Sequence, residues 1–162
     1  MKLTKNLLFT ALISAAALLS AAETEEAKPA AEYKSTFKEP MDVKGYANTV
    51  QLPAGFSMNL KKLAGKEAVV VWEIELQGTE EAQFIGAKFR VYGSDKKDVM
   101  YDLIRWKTPV KMESAKFTGK CKVKIPEKFT RSTLVLYNCT VKGAVRVKSI
   151  TLTATEVPAE KK

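Results

Sequence analysis

Five runs of alternating apolar and polar residues follow one another between Glu67 and Thr155: AVVVWEIELQ, QFIGAKFRVYG, KCKVKIP, STLVLYNC and GAVRVKSITLTA. Side chains of an extended chain point to opposite faces in turn, so a period of two over such runs is the pattern of half-buried strands. Serial strands with Gly, Pro, Lys or Asp clusters between them predict an all-β chain, built as a two-sheet antiparallel β-sandwich. The predicted interior is Trp72, Ile74, Phe89, Val91, Val123, Ile125, Leu134, Leu136, Val147 and Ile150. Glu73 and Glu75 would face Lys88 and Arg90 across a hairpin joining the first two runs, which helps set register. In the last run the apolar phase slips by one between Val147 and Ile150, and a β-bulge near Lys148-Ser149 would bring both back to the core.

Other elements are weaker. Ala47 to Leu52 and Phe56 to Leu60 read as short strands around a Pro53-Ala54-Gly55 turn. Val99 to Trp106 reads as a strand, with a short helix as the alternative, because Val99, Met100, Leu103 and Ile104 also fit one helical face.

The beginning of the chain carries a compartment signal. Lys2 and Lys5 precede an apolar stretch from Leu7 to Leu19 and the small residues Ser20-Ala21-Ala22, the layout of a secretory signal peptide cleaved near Ala22. The apolar stretch is shorter than the ~20 residues a spanning helix needs, so the mature protein is expected without a transmembrane anchor, secreted or periplasmic. Residues 23–40, rich in Ala, Glu, Lys and Pro, suit a flexible leader. The expected organisation is therefore a signal peptide at 1–22, a leader at 23–40, the sandwich at 41–157 and a disordered tail at 158–162. The net charge of +9 includes the two lysines of the signal peptide, so the mature chain is moderately basic.

Catalytic chemistry has little to build on. The chain contains no histidine, which removes imidazole general bases, imidazole metal ligands and a Ser-His triad. Paired carboxylates remain as the one hydrolytic option, yet Glu73 with Glu75, Glu80 with Glu81 and Asp95 with Asp98 all fall at strand faces or turns where solvation accounts for them. No phosphate-cradling loop, Cys/His cluster or nucleophile elbow is present. The expectation is a protein that is not an enzyme and has no cofactor and no metal. Cys121 and Cys139 lie on successive predicted strands of an exported chain, which favours a disulfide between them. Their phases differ, Cys121 running with Val123 and Ile125 but Cys139 with Val135 and Tyr137, so two buried free thiols are the alternative. Asn138-Cys139-Thr140 also matches a glycosylation sequon.

The closing run GAVRVKSITLT resembles the last strand of galactose-binding-like jelly rolls, including carbohydrate-binding modules of the cellulose- and xylan-binding type. That strand reads G-x-V-x-Φ-D-D-V-x-L with Φ apolar, and Gly143, Val145, Val147, Ile150 and Leu152 match it. LKKLAGKEAVVVWEIEL is similar to the strand that opens the core in these modules, and KCKVKIPEKFTRSTLVLY to a later strand pair. The resemblance implies a jelly-roll β-sandwich and a carbohydrate ligand. Lys148 and Ser149 stand where that closing strand has paired acids, and a lysine cannot ligate calcium as a carboxylate does.

A sugar site needs flat apolar platforms flanked by polar groups. Tyr92, Trp106 and Tyr137 are the candidate platforms, with Arg90 or Asp102 for polar contact and Phe84 as a further outward aromatic. The predicted partner is a glycan or polysaccharide. The lysine row Lys120, Lys122, Lys124, with Lys142, Arg146 and Lys148, would admit an anionic one, although solubility and edge-strand protection explain such a row equally well. Nucleic acid is not expected for an exported chain. The alternative function is a structural or protein-binding component of the cell envelope with the same fold and no sugar site.

Overall fold

The five alternating runs are strands, and three further strands and a helix join them. The computed structural model describes residues 28–43, 47–81, 83–95, 98–140 and 143–158. The predicted signal peptide and residues 159–162 lie outside them. In chain order the elements are β1 (Ala31–Val43), β2 (Asn48–Gln51), α1 (Ala54–Lys61), β3 (Glu67–Gly78), β4 (Gln83–Gly93), β5 (Asp98–Val110), β6 (Ala115–Lys124), β7 (Phe129–Asn138) and β8 (Val145–Glu156).

They form two four-stranded sheets, one ordered β1-β8-β3-β6 and the other β2-β7-β4-β5, with every pairing antiparallel. Position by position the two orders match β1 with β2, β8 with β7, β3 with β4 and β6 with β5, the arrangement of an eight-stranded jelly roll. The inward residues of both sheets fill the space between them, and every predicted interior residue is buried. Each large apolar side chain so enclosed contributes roughly 1.5–3 kcal/mol against the entropy of the unfolded chain. Trp72 fits only because its cross-strand partner is Gly119: a Cβ there would stand 2.6 Å from the indole Cζ2. The bulge in β8 falls where the slipped phase requires it, since Glu75 pairs with Ser149 and Leu76 with Val147, leaving Lys148 extra. Val99 to Trp106 is extended, as part of β5.

Four expectations are corrected. Residues 31–40 of the expected flexible leader are instead structured, because Ala31–Val43 is an edge strand paired with β8 from Ala31↔Ala154 to Val43↔Val145. Its register breaks between Thr36 and Met41, and Tyr33, Phe37 and Met41 pack against the core only partly buried. An edge strand needs few large apolar residues when its neighbour supplies the ladder. The predicted strand at Phe56 to Leu60 is helix α1. Phe56 and Leu60 satisfy a spacing of four as well as a period of two, and Met58 decides between them by being 69% exposed. The hairpin between the first two runs is absent, because β3 and β4 belong to different sheets. Glu73 pairs instead with Lys116 at 3.3 Å, Glu75 accepts from Ser114, Lys88 pairs with Asp102 at 3.2 Å and Arg90 with Asp98.

The fourth correction concerns the disulfide. Cys121 and Cys139 are free thiols. Cys121 lies on β6 opposite Val70, whereas Cys139 follows β7 of the other sheet and donates its amide to Phe84 O at the far end of the sandwich. A bridge needs Cα atoms within about 7 Å. Denatured without reductant, the protein will therefore take up alkylating reagent at both cysteines. In the native protein Cys121 will label slowly, because burial pushes its thiol above the usual range and only the thiolate is nucleophilic. Mass analysis that finds the two cysteines already joined would refute this.

The sequon is structural as well. Asn138 is 3% exposed, donates to Val43 O at 3.3 Å and Gly143 O at 3.1 Å, and accepts from Thr140 N and Oγ1. Its amide ties β1, β7 and the approach to β8 together, and none of it is left for a glycan.

Candidate functional site

Three strands of the second sheet present one outward row each. On β4 the outward residues are Phe84, Gly86, Lys88, Arg90 and Tyr92, alternating with buried Ile85, Ala87, Phe89 and Val91. On β7 they are Arg131, Thr133, Val135 and Tyr137, and the register sets Gly86 beside Tyr137, Lys88 beside Val135, Arg90 beside Thr133 and Tyr92 beside Arg131. On the other flank Asp98, Met100 and Asp102 of β5 stand beside Tyr92, Arg90 and Lys88. All four predicted ligand residues, Tyr92, Trp106, Tyr137 and Arg90, therefore share one sheet face.

Trp106 reaches that face through an irregularity. Ile85 pairs with Thr108 and Ala87 with Ile104, so Arg105, Trp106 and Lys107 all stand opposite Gly86. The extra residues bulge the strand, and Lys107 takes a left-handed φ of 62°, a conformation that costs a side chain roughly 1–2 kcal/mol. The bulge lays the indole over Gly86, where an added Cβ would meet Trp106 Cε3 at 3.0 Å. A glycine inside a strand marks such a close approach. The indole then meets the Tyr137 ring edge-on, centroids 5.1 Å apart and planes at 69°, and remains 40% exposed. Gly86→Val is expected to push the indole off the sheet, read as a changed emission of the more exposed of the two tryptophans, and to weaken any ligand that Trp106 contacts. Unchanged emission would show that the indole does not rest there.

Tyr92 marks the other end of the row. Tyr137 and Arg131 lie six positions apart on β7, about 20 Å of extended chain. Arg90 Cζ stands 4.6 Å from the centre of the Tyr92 ring and Arg131 Cζ 4.5 Å from it. Arg90 gives Nε and Nη2 to Asp98 Oδ2, at 2.6 and 2.5 Å. In the middle of the row Thr133 and Val135 of β7 are buried, and Thr49 and Gln51 of β2 adjoin them.

Arg131 and Gly86 were not singled out from sequence. The phase that turns Tyr137 outward turns Arg131 outward too, and Gly86 interrupts an otherwise regular strand, so both signals were present.

The lysine row lies elsewhere. Lys120, Lys122 and Lys124 point outward from β6, at the edge of the other sheet, and none has a carboxylate partner among the described residues. Arg146 is paired with Asp42 at 3.2 Å, Lys148 is the bulged residue of β8, and Lys142 lies outside the described residues. A cleft at one end of the sandwich is lined by Asp95, Val99, Tyr101, Lys124, Glu127 and Lys128. Tyr101 closes its wall, its Oη donating to Lys124 O at 3.1 Å and accepting from Lys124 N at 2.8 Å. Among the described residues no group of three or more Cys, Asp or Glu side chains is placed to hold a metal, and no helix is long and apolar enough to cross a membrane.

No family model matches this sequence, and no curated protein matches it. Solved structures match it in shape. The CBM22-1 xylan-binding domain of Paenibacillus barcinonensis Xyn10C superposes with a TM-score of 0.52 at 9% identity, over 82% of this chain and 97% of that domain. The CBM22-1 and GH10 modules of Clostridium thermocellum endo-1,4-beta-D-xylanase 10B, complexed with xylohexaose, give 0.50 at 11% identity, over 75% of this chain and 28% of that one. The VP2 capsid protein of infectious bursal disease virus gives 0.48 at 8% identity over 79% of this chain, which spans 31% of the capsid chain's length. Likeness at such identities is likeness of fold. The chain has a two-sheet jelly-roll β-sandwich, a fold it shares with the CBM22-1 domain of Xyn10C.

Proposed function

We propose that this protein is an exported, non-catalytic module that binds a glycan along the outer face of the β2-β7-β4-β5 sheet, through Trp106, Tyr137 and Tyr92 with Arg90 as a polar flank. The observation that carries the reading is the Trp106 bulge. A strained Lys107 and a side-chain-free Gly86 hold a large aromatic flat on a sheet surface, half in solvent and against Tyr137. Core packing needs none of this, and strain kept at a surface position is a mark of function. Flat apolar rings about 20 Å apart, with Lys88, Asp102 and Arg90 between them, suit an extended chain of sugar rings. The fold shared with a xylan-binding domain and with xylanase modules complexed with xylohexaose supports a polysaccharide ligand, and the basic, apolar start of the sequence supports export to where such polymers occur.

The test is retention of the mature domain in affinity gels containing a panel of soluble polysaccharides, neutral and acidic. Retardation by at least one polymer, relieved by its free oligosaccharide, is the expected result. Migration unaffected by every polymer would overturn the proposal in favour of a structural or protein-binding role in the envelope.

A further inference from the structure

Resting on the glycan reading of this face, we infer that the ligand is an acidic polysaccharide whose uronate carboxylate is held by Arg131 beside Tyr92. Two guanidiniums converge on one ring, Arg90 at 4.6 Å and Arg131 at 4.5 Å. The Tyr92 ring attracts each cation, but two like charges at one ring repel unless an anion neutralises them. Asp98 neutralises Arg90. Arg131 is exposed and has no carboxylate partner among the described residues. The other outward cations of β4 and β7, Lys88 and Arg90, are each matched by an acid on β5, so Arg131 is the unmatched charge of those two strands.

Its chemistry selects the ligand group. A guanidinium is planar, stays charged at any working pH and matches the two coplanar oxygens of a carboxylate. Contact with Tyr92 limits its freedom before ligand arrives, which lowers the ordering cost of binding. The Tyr92 side chain is fixed in turn, its Oη lying 3.4 Å from Thr133 Oγ1, while its carbonyl accepts from Thr130 Oγ1 at 3.1 Å. A sugar stacked near Tyr92 and bearing a C5 carboxylate would bring its charge to the Arg131 fork.

The experiment compares polyuronates, namely polygalacturonate, alginate and hyaluronate, with the same polymers after carboxyl reduction. The wild-type domain is expected to bind at least one polyuronate tenfold or more tightly than its reduced form. Arg131→Gln is expected to remove that preference while leaving affinity for the reduced polymer and the urea midpoint unchanged. Arg131→Lys, which keeps charge but loses the planar fork, is expected to restore only part of it. Equal affinity of the wild type for parent and reduced polymers would overturn the uronate assignment and leave glycan binding standing. So would a preference that survives Arg131→Gln, or dextran sulfate binding as tightly as the polyuronate. Absence of binding to every polymer, these and the neutral ones, would overturn both readings together.

Discussion

Phe89→Ala will lower the stability of the domain by about 3–5 kcal/mol, the range for deleting a fully enclosed phenylalanine. Phe89 is 0% exposed, lies on the central strand β4 between Leu134 of β7 and Tyr101 of β5, and meets Phe56 of α1 edge-on with ring centres 6.5 Å apart. The substitution empties the middle of the sandwich and also takes away the ring that α1 rests on, so neither sheet nor helix can collapse cheaply into the space. Urea unfolding should show a lower midpoint with an unchanged slope. Phe84→Ala, on the same strand but outward and 36% exposed, should cost well under half as much. Similar midpoints for the two variants would contradict the assignment of inner and outer faces.

Trp106→Ala combined with Tyr137→Ala will weaken polysaccharide binding by about 30- to 1,000-fold, which corresponds to roughly 2–4 kcal/mol for removing two central aromatic anchors. The domain should remain folded, because both rings lie on the surface and their mutual contact is worth only about 0.5–1.5 kcal/mol. Each single variant is expected to lose binding as well, and the pair to lose less than the sum, since the rings meet at 5.1 Å and each positions the other. Retention unchanged in the double variant, with the unfolding curve intact, would exclude this face as the sugar site.

Most of the sandwich could be read from residue order, and the part that could not has identifiable causes. Strands β3, β4, β6 and β8 announce themselves because each alternates apolar with charged or polar residues, β7 because of its Leu134-Val135-Leu136-Tyr137 run, and even the β8 bulge shows as a slipped phase between Val147 and Ile150. β1 stays hidden because its inward side carries Tyr33, Ser35 and Phe37 within a Lys- and Glu-rich segment. Its pairing energy comes from β8, which no local window contains. α1 is ambiguous because Phe56, Met58 and Leu60 fit two periods at once. The separation of β3 from β4 is invisible for another reason: a short connection serves equally for a hairpin within a sheet and for an arch between sheets. The candidate site follows the same division. Phase alone sends Tyr92, Tyr137 and Arg90 to one face, whereas the contact between Trp106 and Tyr137 depends on an irregular pairing of β5 with β4 that sequence period does not encode.

The order of strands within the sheets also sets when each can exist. All four strands of the sheet carrying Trp106 and Tyr137 lie between Asn48 and Asn138, so that sheet can be complete while the chain beyond it is still being released. The other cannot, because β8 sits between β1 and β3 and its ladder joins residues as distant as Ala31 and Ala154. Until Val145–Glu156 arrives, β1 has no neighbour and the inner face of the first sheet stays open to water. Closing so long a loop late is slow compared with local pairing. A chain that lacks Val145–Glu156 consequently cannot close the sandwich, and the final strand acts as the clasp that commits it to the native state.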